Sequence, residues 1–127
     1  MTTRRSPHSV EVTVERLLLA LDRHGIQLMA RIDHGAGAAA AGLELRDEQV
    51  VIFGDARVGT LLMQADPRVG YELPLRLLVW DAADETMIGY RPPAALADSY
   101  PLAAHAETLT RMQTLLETLV SESVGDA

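Results

Sequence analysis

The chain contains no cysteine and no lysine, and its aromatic side chains are few: one tryptophan (Trp80), three tyrosines and one phenylalanine. Without cysteine there are no disulfides, no thiolate nucleophile and no cysteine-based zinc site. Without lysine there is no Schiff-base chemistry and no lysine to reach the outer phosphates of a nucleotide. Basic charge is scarce as well. Eleven bases, all arginine, face eighteen acids, which leaves a net charge of −7 with no basic cluster. Affinity for nucleic acid rests largely on neutralising phosphates, so nucleic acid is not an expected partner. Long apolar runs are missing too. The best candidate, "LPLRLLVW", is interrupted by Arg76 and falls far short of the roughly 18 residues that span a bilayer. No membrane partner is expected. "MTTRRSPHS" leads into no apolar segment and does not read as a secretory leader, so the cytoplasm is the expected location.

What is present is an ordinary globular composition: 127 residues, 48% hydrophobic and 23% charged, enough for one domain with one core. Residues 1–8 read as a loose tail and 9–127 as the domain. Ser9 is placed to cap a helix over 10–24, with Val10, Val14, Leu17, Leu18 and Leu21 on one face and Gly25 as its stop. "IQLMARID" alternates like a half-buried strand. If helices cover the side of Ile26, Leu28 and Ile32, then Met29, Arg31 and Asp33 face the other way. "HGAGAAAAGLEL" is a small-residue connection, either a loop or a short helix ending at Gly42. "EQVVIFG" is apolar on both sides and reads as a central strand. A helix over about 56–65 ends before Pro67, "YELPLRLLVW" and "TMIGYR" read as strands joined over "DAADE", and the longest helix is expected from Pro101 to Val124.

The stretch "VIFGDARVGTLLMQADPRVG" (51–70) has the strand–turn–helix order of a phosphate-binding loop. The loop chemistry requires Gly-x4-Gly-Lys-Ser/Thr. In "GDARVGT" Thr60 directly follows Gly59, and Asp55 sets a carboxylate where an anion would sit. Asp55 is instead expected to cap the helix.

"VERLLLALDRHG", "MARIDHGAGAAAAGLEL", "VIFGDARVGTLLMQADPRVGYELPLRLLVW" and "IGYRPPAALA" follow one another in this order. In this the chain resembles an uncharacterised bacterial family, domain of unknown function 302, over about residues 10–119. "FG", "GTLLMQADP", "LPLR" and "VW" are the most specific stretches. The resemblance implies a TATA-binding-protein-like fold: a curved, mostly antiparallel sheet of four or five strands with helices on one face. Many family members begin with a strand, for which "MTTRRSPHS" is poor material. No activity comes with the resemblance. Composition and periodicity agree on α+β in a single domain.

The candidate chemistry is sparse. His34 beside Asp33 sits at a strand end, where ligand groups often lie. Asp66 and Asp33 are its tempting partners for a metal, but no metal site or cofactor is expected. No serine lies in a nucleophile elbow. Arg76 and Trp80 share a face of the third strand, with Tyr90 a further candidate for it. Arginine with tryptophan suits an anionic or aromatic ligand, or a partner surface. Arg31, Asp33, His34, Asp66, Arg76 and Trp80 are therefore the candidate ligand-binding residues. Whether the chain is an enzyme stays open. The readings are a small-molecule-binding domain that dimerises, a non-catalytic homodimeric interaction module, and a cryptic enzyme using Asp33 and His34.

Overall fold

The computed structural model of the chain describes residues 1–125, so the last two residues of the expected 9–127 domain lie outside the described residues. Five strands form one sheet: β1 (Thr2–Ser6), β2 (Gln27–Asp33), β3 (Glu48–Gly54), β4 (Leu75–Asp81) and β5 (Thr86–Tyr90). Their order is β1-β5-β4-β3-β2, and every neighbouring pair is antiparallel. The helices are α1 (Val10–Arg23), α2 (His34–Ala40), α3 (Ala56–Ala65), α4 (Leu96–Ser99) and α5 (Ala106–Val124). The α+β fold expected from the sequence is the fold observed.

α1 starts where its caps put it. The Ser9 side chain accepts the Val12 amide, and the turn then buries Val10, Val14, Leu17 and Leu21 at helical spacing. α1 and α5 lie together on one face of the sheet, and their apolar stripes meet Val51, Phe53, Leu77, Val79 and Ile88 from the central strands. A second cluster forms beyond the lower end of β3. There Leu62 of α3 and Val69 pack with Leu96, Leu102, Leu109 and Met112. The long helix α5 therefore serves two cores: Leu109 and Met112 close the second, while Leu116, Leu119 and Val120 close the first.

Four expectations change. Residues 1–8 are not a loose tail, because Thr2–Ser6 pairs with β5 as an edge strand. The helix-facing side of this strand is polar, and polar partners satisfy it: Ser6 Oγ meets Thr13 Oγ1 at 2.7 Å, and Arg4 donates to Ser121 Oγ. A strand satisfied by side-chain hydrogen bonds leaves no apolar alternation to read. β4 begins at Leu75, not Tyr71. Pro67–Tyr71 forms a 3-10 turn, and Pro74, reached through a cis peptide bond, has no amide for the ladder. The last helix begins at Ala106 after a 3-10 turn over Ala103–His105, and Gly125 caps it at φ 93°. Finally, β2 carries a bulge between Leu28 and Ala30, which reverses the expected facing of its second half.

Candidate functional site

The sheet has one covered face and one open face, and the cross-strand pairs define the second. Ile32 lies opposite Val50, Val50 opposite Leu78, Ile52 opposite Arg76, Glu48 opposite Trp80, and Trp80 opposite Met87. Directly paired residues point to the same side of a sheet, so these side chains form one surface. Its centre is apolar: Ile32, Val50, Ile52, Leu78, Trp80 and Met87. Ile32 is 43% exposed, and the other five are half-buried. The first residue of α2, His34, reaches the same side. His34, Val50, Arg76 and Leu78 line part of a recess of about 680 Å³ that continues past Leu75 and Tyr90 to Leu96 and Leu116. The structure thus brings His34 and Arg76 to one place, with Trp80 farther along the same face.

The other candidates go elsewhere. Because of the bulge, Arg31 sits opposite Val51 and Asp33 opposite Gln49, on the helix-covered side. Arg31 Nε donates to the buried Gln49, and its two terminal nitrogens bind Glu11 and Glu15 of α1 at 3.1 Å each. Asp33 accepts the Ala36 amide at 2.9 Å and so caps α2. Asp66 is buried and takes both the amide and the guanidinium of Arg68. These bonds hold its carboxyl below the usual range. Tyr90 also turns inward, and its hydroxyl accepts from Gln113. Arg31, Asp33 and Asp66 are thus engaged in holding elements together.

Near Asp66 lies a cluster with the look of acid–base chemistry. Tyr100 donates to Glu72 at 3.3 Å, and Arg68 stacks over its ring at 5.7 Å. Burial first, and the Glu72 carboxylate second, push the Tyr100 phenol upward. It therefore stays protonated at neutral pH and is a poor base. Among the described residues no group of three histidines or carboxylates could hold a metal ion.

A further feature lies in the stretch that looked like a phosphate loop. Asp55 accepts the Arg57 amide at 2.9 Å and its guanidinium at 3.1–3.2 Å, so the start of α3 already carries its own anion. The hydrogen bonds from Arg57 hold the Asp55 carboxyl below its ordinary value. Beside this cap, between α3, the 3-10 turn and α5, opens an apolar cleft of about 280 Å³. Gly54, Gly59 and Gly70 make room for it, Met29, Met63 and Met112 line it, and Asp55 and Arg111 stand at its polar edge. Three glycines and a methionine within residues 54–70 were the sequence signal for close backbone approach.

The family model described as "Domain of unknown function DUF302" matches residues 2–119. The chain belongs to this family. The crystal structure of an uncharacterized conserved DUF302 protein from Bacillus stearothermophilus covers 96% of each chain at a TM-score of 0.85, with 20% identity; this likeness shows the DUF302 fold. Two curated relatives, the fluoride-specific ion channels FluC 1 of Brucella suis and of Brucella abortus, are 35% identical over 128 residues. The match covers 99% of this chain but 50% and 47% of theirs, so the chain spans about half the length of these relatives.

Proposed function

We propose that this DUF302 domain is a non-catalytic binding module that assembles as a homodimer through the open face of its sheet. The observation that carries the reading is the continuous apolar surface Ile32–Val50–Leu78, extended through Trp80 and Met87 and backed by a rigid antiparallel sheet. A sheet face of this kind in water is a liability that a soluble chain ordinarily covers. Five strands about 4.8 Å apart, with five to seven residues of about 3.3 Å each, present roughly 400–550 Å² in projection. A standard interface takes roughly 800 Å² per partner, and the connector between α2 and β3 leaves Leu43 and Leu45 exposed as well. The face also suits its own copy electrostatically. Arg5, itself paired with Glu85, and Glu48 stand at opposite ends of the cross-strand row Arg5–Met87–Trp80–Glu48, so a two-fold pairing can set unlike charges together.

The relatives' printed name does not transfer its activity to this chain. An ion channel must cross the membrane, and among the described residues no helix is long and apolar enough to do so. A match to half of a longer protein supports the reading of a module that works beside another part. The proposal keeps the module in the cytoplasm.

Trp80, the only tryptophan, reports on this surface directly. At tens of micromolar, its emission is expected to be blue-shifted and protected from acrylamide in the native chain. In Leu78→Glu the emission should shift red and quench readily, while far-UV circular dichroism stays native. Equal quenching of the two proteins would contradict the dimer.

A further inference from the structure

The apolar cleft beside α3 lies on the helix-covered side of the sheet, away from the proposed dimer face, and nothing in the fold assigns it a role. Its walls are apolar, and the glycines that shape it stand close to their neighbours. A Cβ on Gly70 would meet Met63 Sδ at 3.3 Å, and one on Gly59 would meet Leu73 at 3.4 Å. Larger residues at either position would take space from the cleft. Three methionines give the walls a soft lining that adapts to the shape of a guest.

The polar edge states what kind of guest fits. Of its two charged side chains, the Asp55 carboxylate is already satisfied by the amide, Nε and Nη2 of Arg57. Arg111 is different. One nitrogen donates to Glu107 at 3.3 Å, an exposed pair between side chains four residues apart on α5. A guanidinium carries five donors and this one is 71% exposed, so most of its capacity is left for water or a guest at the edge of the apolar wall. The cleft volume, about 280 Å³, falls at the small end of ligand pockets. We infer that this cleft binds a small amphipathic carboxylate, its apolar chain lying among Met29, Met63 and Met112 and its acid group paired with Arg111. The match is one of charge and shape: an anion meets the partly engaged cation, and the chain meets the apolar walls.

The test uses the full chain with 13C-methyl-labelled methionine and two probes, decanoate and decan-1-ol, both held below the concentrations at which they aggregate. The five methionines separate the cleft from the sheet face, since Met87 lies on the open face and Met1 is exposed beside it. Decanoate is expected to shift the methyls of Met29, Met63 and Met112 saturably while Met1 and Met87 stay still. Decan-1-ol should bind about tenfold more weakly, the scale of a hydrogen bond to a charged group. Arg111→Gln should bring decanoate down to the level of the alcohol and leave the alcohol unchanged. Ala56→Phe, at an exposed position on the cleft wall, should abolish both while keeping native circular dichroism. The inference is overturned if no saturable shift occurs, if Met87 responds in place of the cleft methionines, or if Arg111→Gln binds decanoate as tightly as the native chain.

Discussion

Ala83 shows how a single residue carries strain in this fold. It turns the β4–β5 hairpin at φ 78°, a left-handed conformation that a Cβ makes unfavourable. The turn is held by the Asp81 carboxylate, which accepts the Ala83 amide at 2.8 Å, and by the Ala82 amide bonded to the Glu85 carbonyl. Ala83→Gly removes a cost of about 1–2 kcal/mol in the folded state and adds about 0.4–1 kcal/mol of unfolded-chain entropy. Urea titration is expected to show a net gain between about 0 and 1.6 kcal/mol, and a clear loss would contradict the strained turn. At the other end of the molecule, Glu122 bridges α5 to the end of α1 by accepting bonds from Arg23 and His24. Those bonds, that of Arg23 first, hold its carboxyl below the ordinary value of 4.5. A carboxyl depressed in the folded state stabilises above its unfolded pKa and loses that contribution as pH falls through the folded one. Stability should therefore decline below about pH 4.5. Glu122→Gln should be less stable than the native chain at pH 7 and converge with it in acid. Asp55 and Asp66, depressed by their own arginines, keep part of the slope in the variant. A parallel pH profile for the two proteins would refute the assignment.

At the scale of elements, α5 is the part on which both cores depend. Leu116 is 1% exposed beneath it, so Leu116→Ala should cost about 2–5 kcal/mol in equilibrium unfolding, the range for buried leucines. A loss of only about a few tenths of a kcal/mol would mean that the helix does not pack as described. The sequence made α1, β3 and α3 legible because each has a cap or an uninterrupted period. Ser9 and Asp55 mark helix starts, and "EQVVIFG" is bounded as sharply as a strand can be. It failed where tertiary structure overrides local pattern. β1 is a polar strand that exists because β5 has a free edge and because Thr13 and Ser121 stand ready for its hydroxyl and guanidinium. The bulge in β2 leaves no mark on alternation, yet it moves Arg31 and Asp33 across the sheet. The candidate site suffered from the same cause. Of its six residues, His34, Arg76 and Trp80 share the open face. Arg31, Asp33 and Asp66 are occupied by neighbours that no spacing rule names.

The whole molecule is asymmetric about its sheet. One face of the sheet is sealed by α1 and α5, and the other presents apolar side chains to whatever lies beyond it. The two proposed sites divide along this line: a copy of the chain on the open face, and a small carboxylate in the cleft on the covered side. Sedimentation equilibrium from one to several hundred micromolar reads the dimer itself. The weight-average mass is expected to approach twice 13.8 kDa for the native chain and to stay at 13.8 kDa for Leu78→Glu. A native mass fixed at 13.8 kDa across the whole range would contradict it.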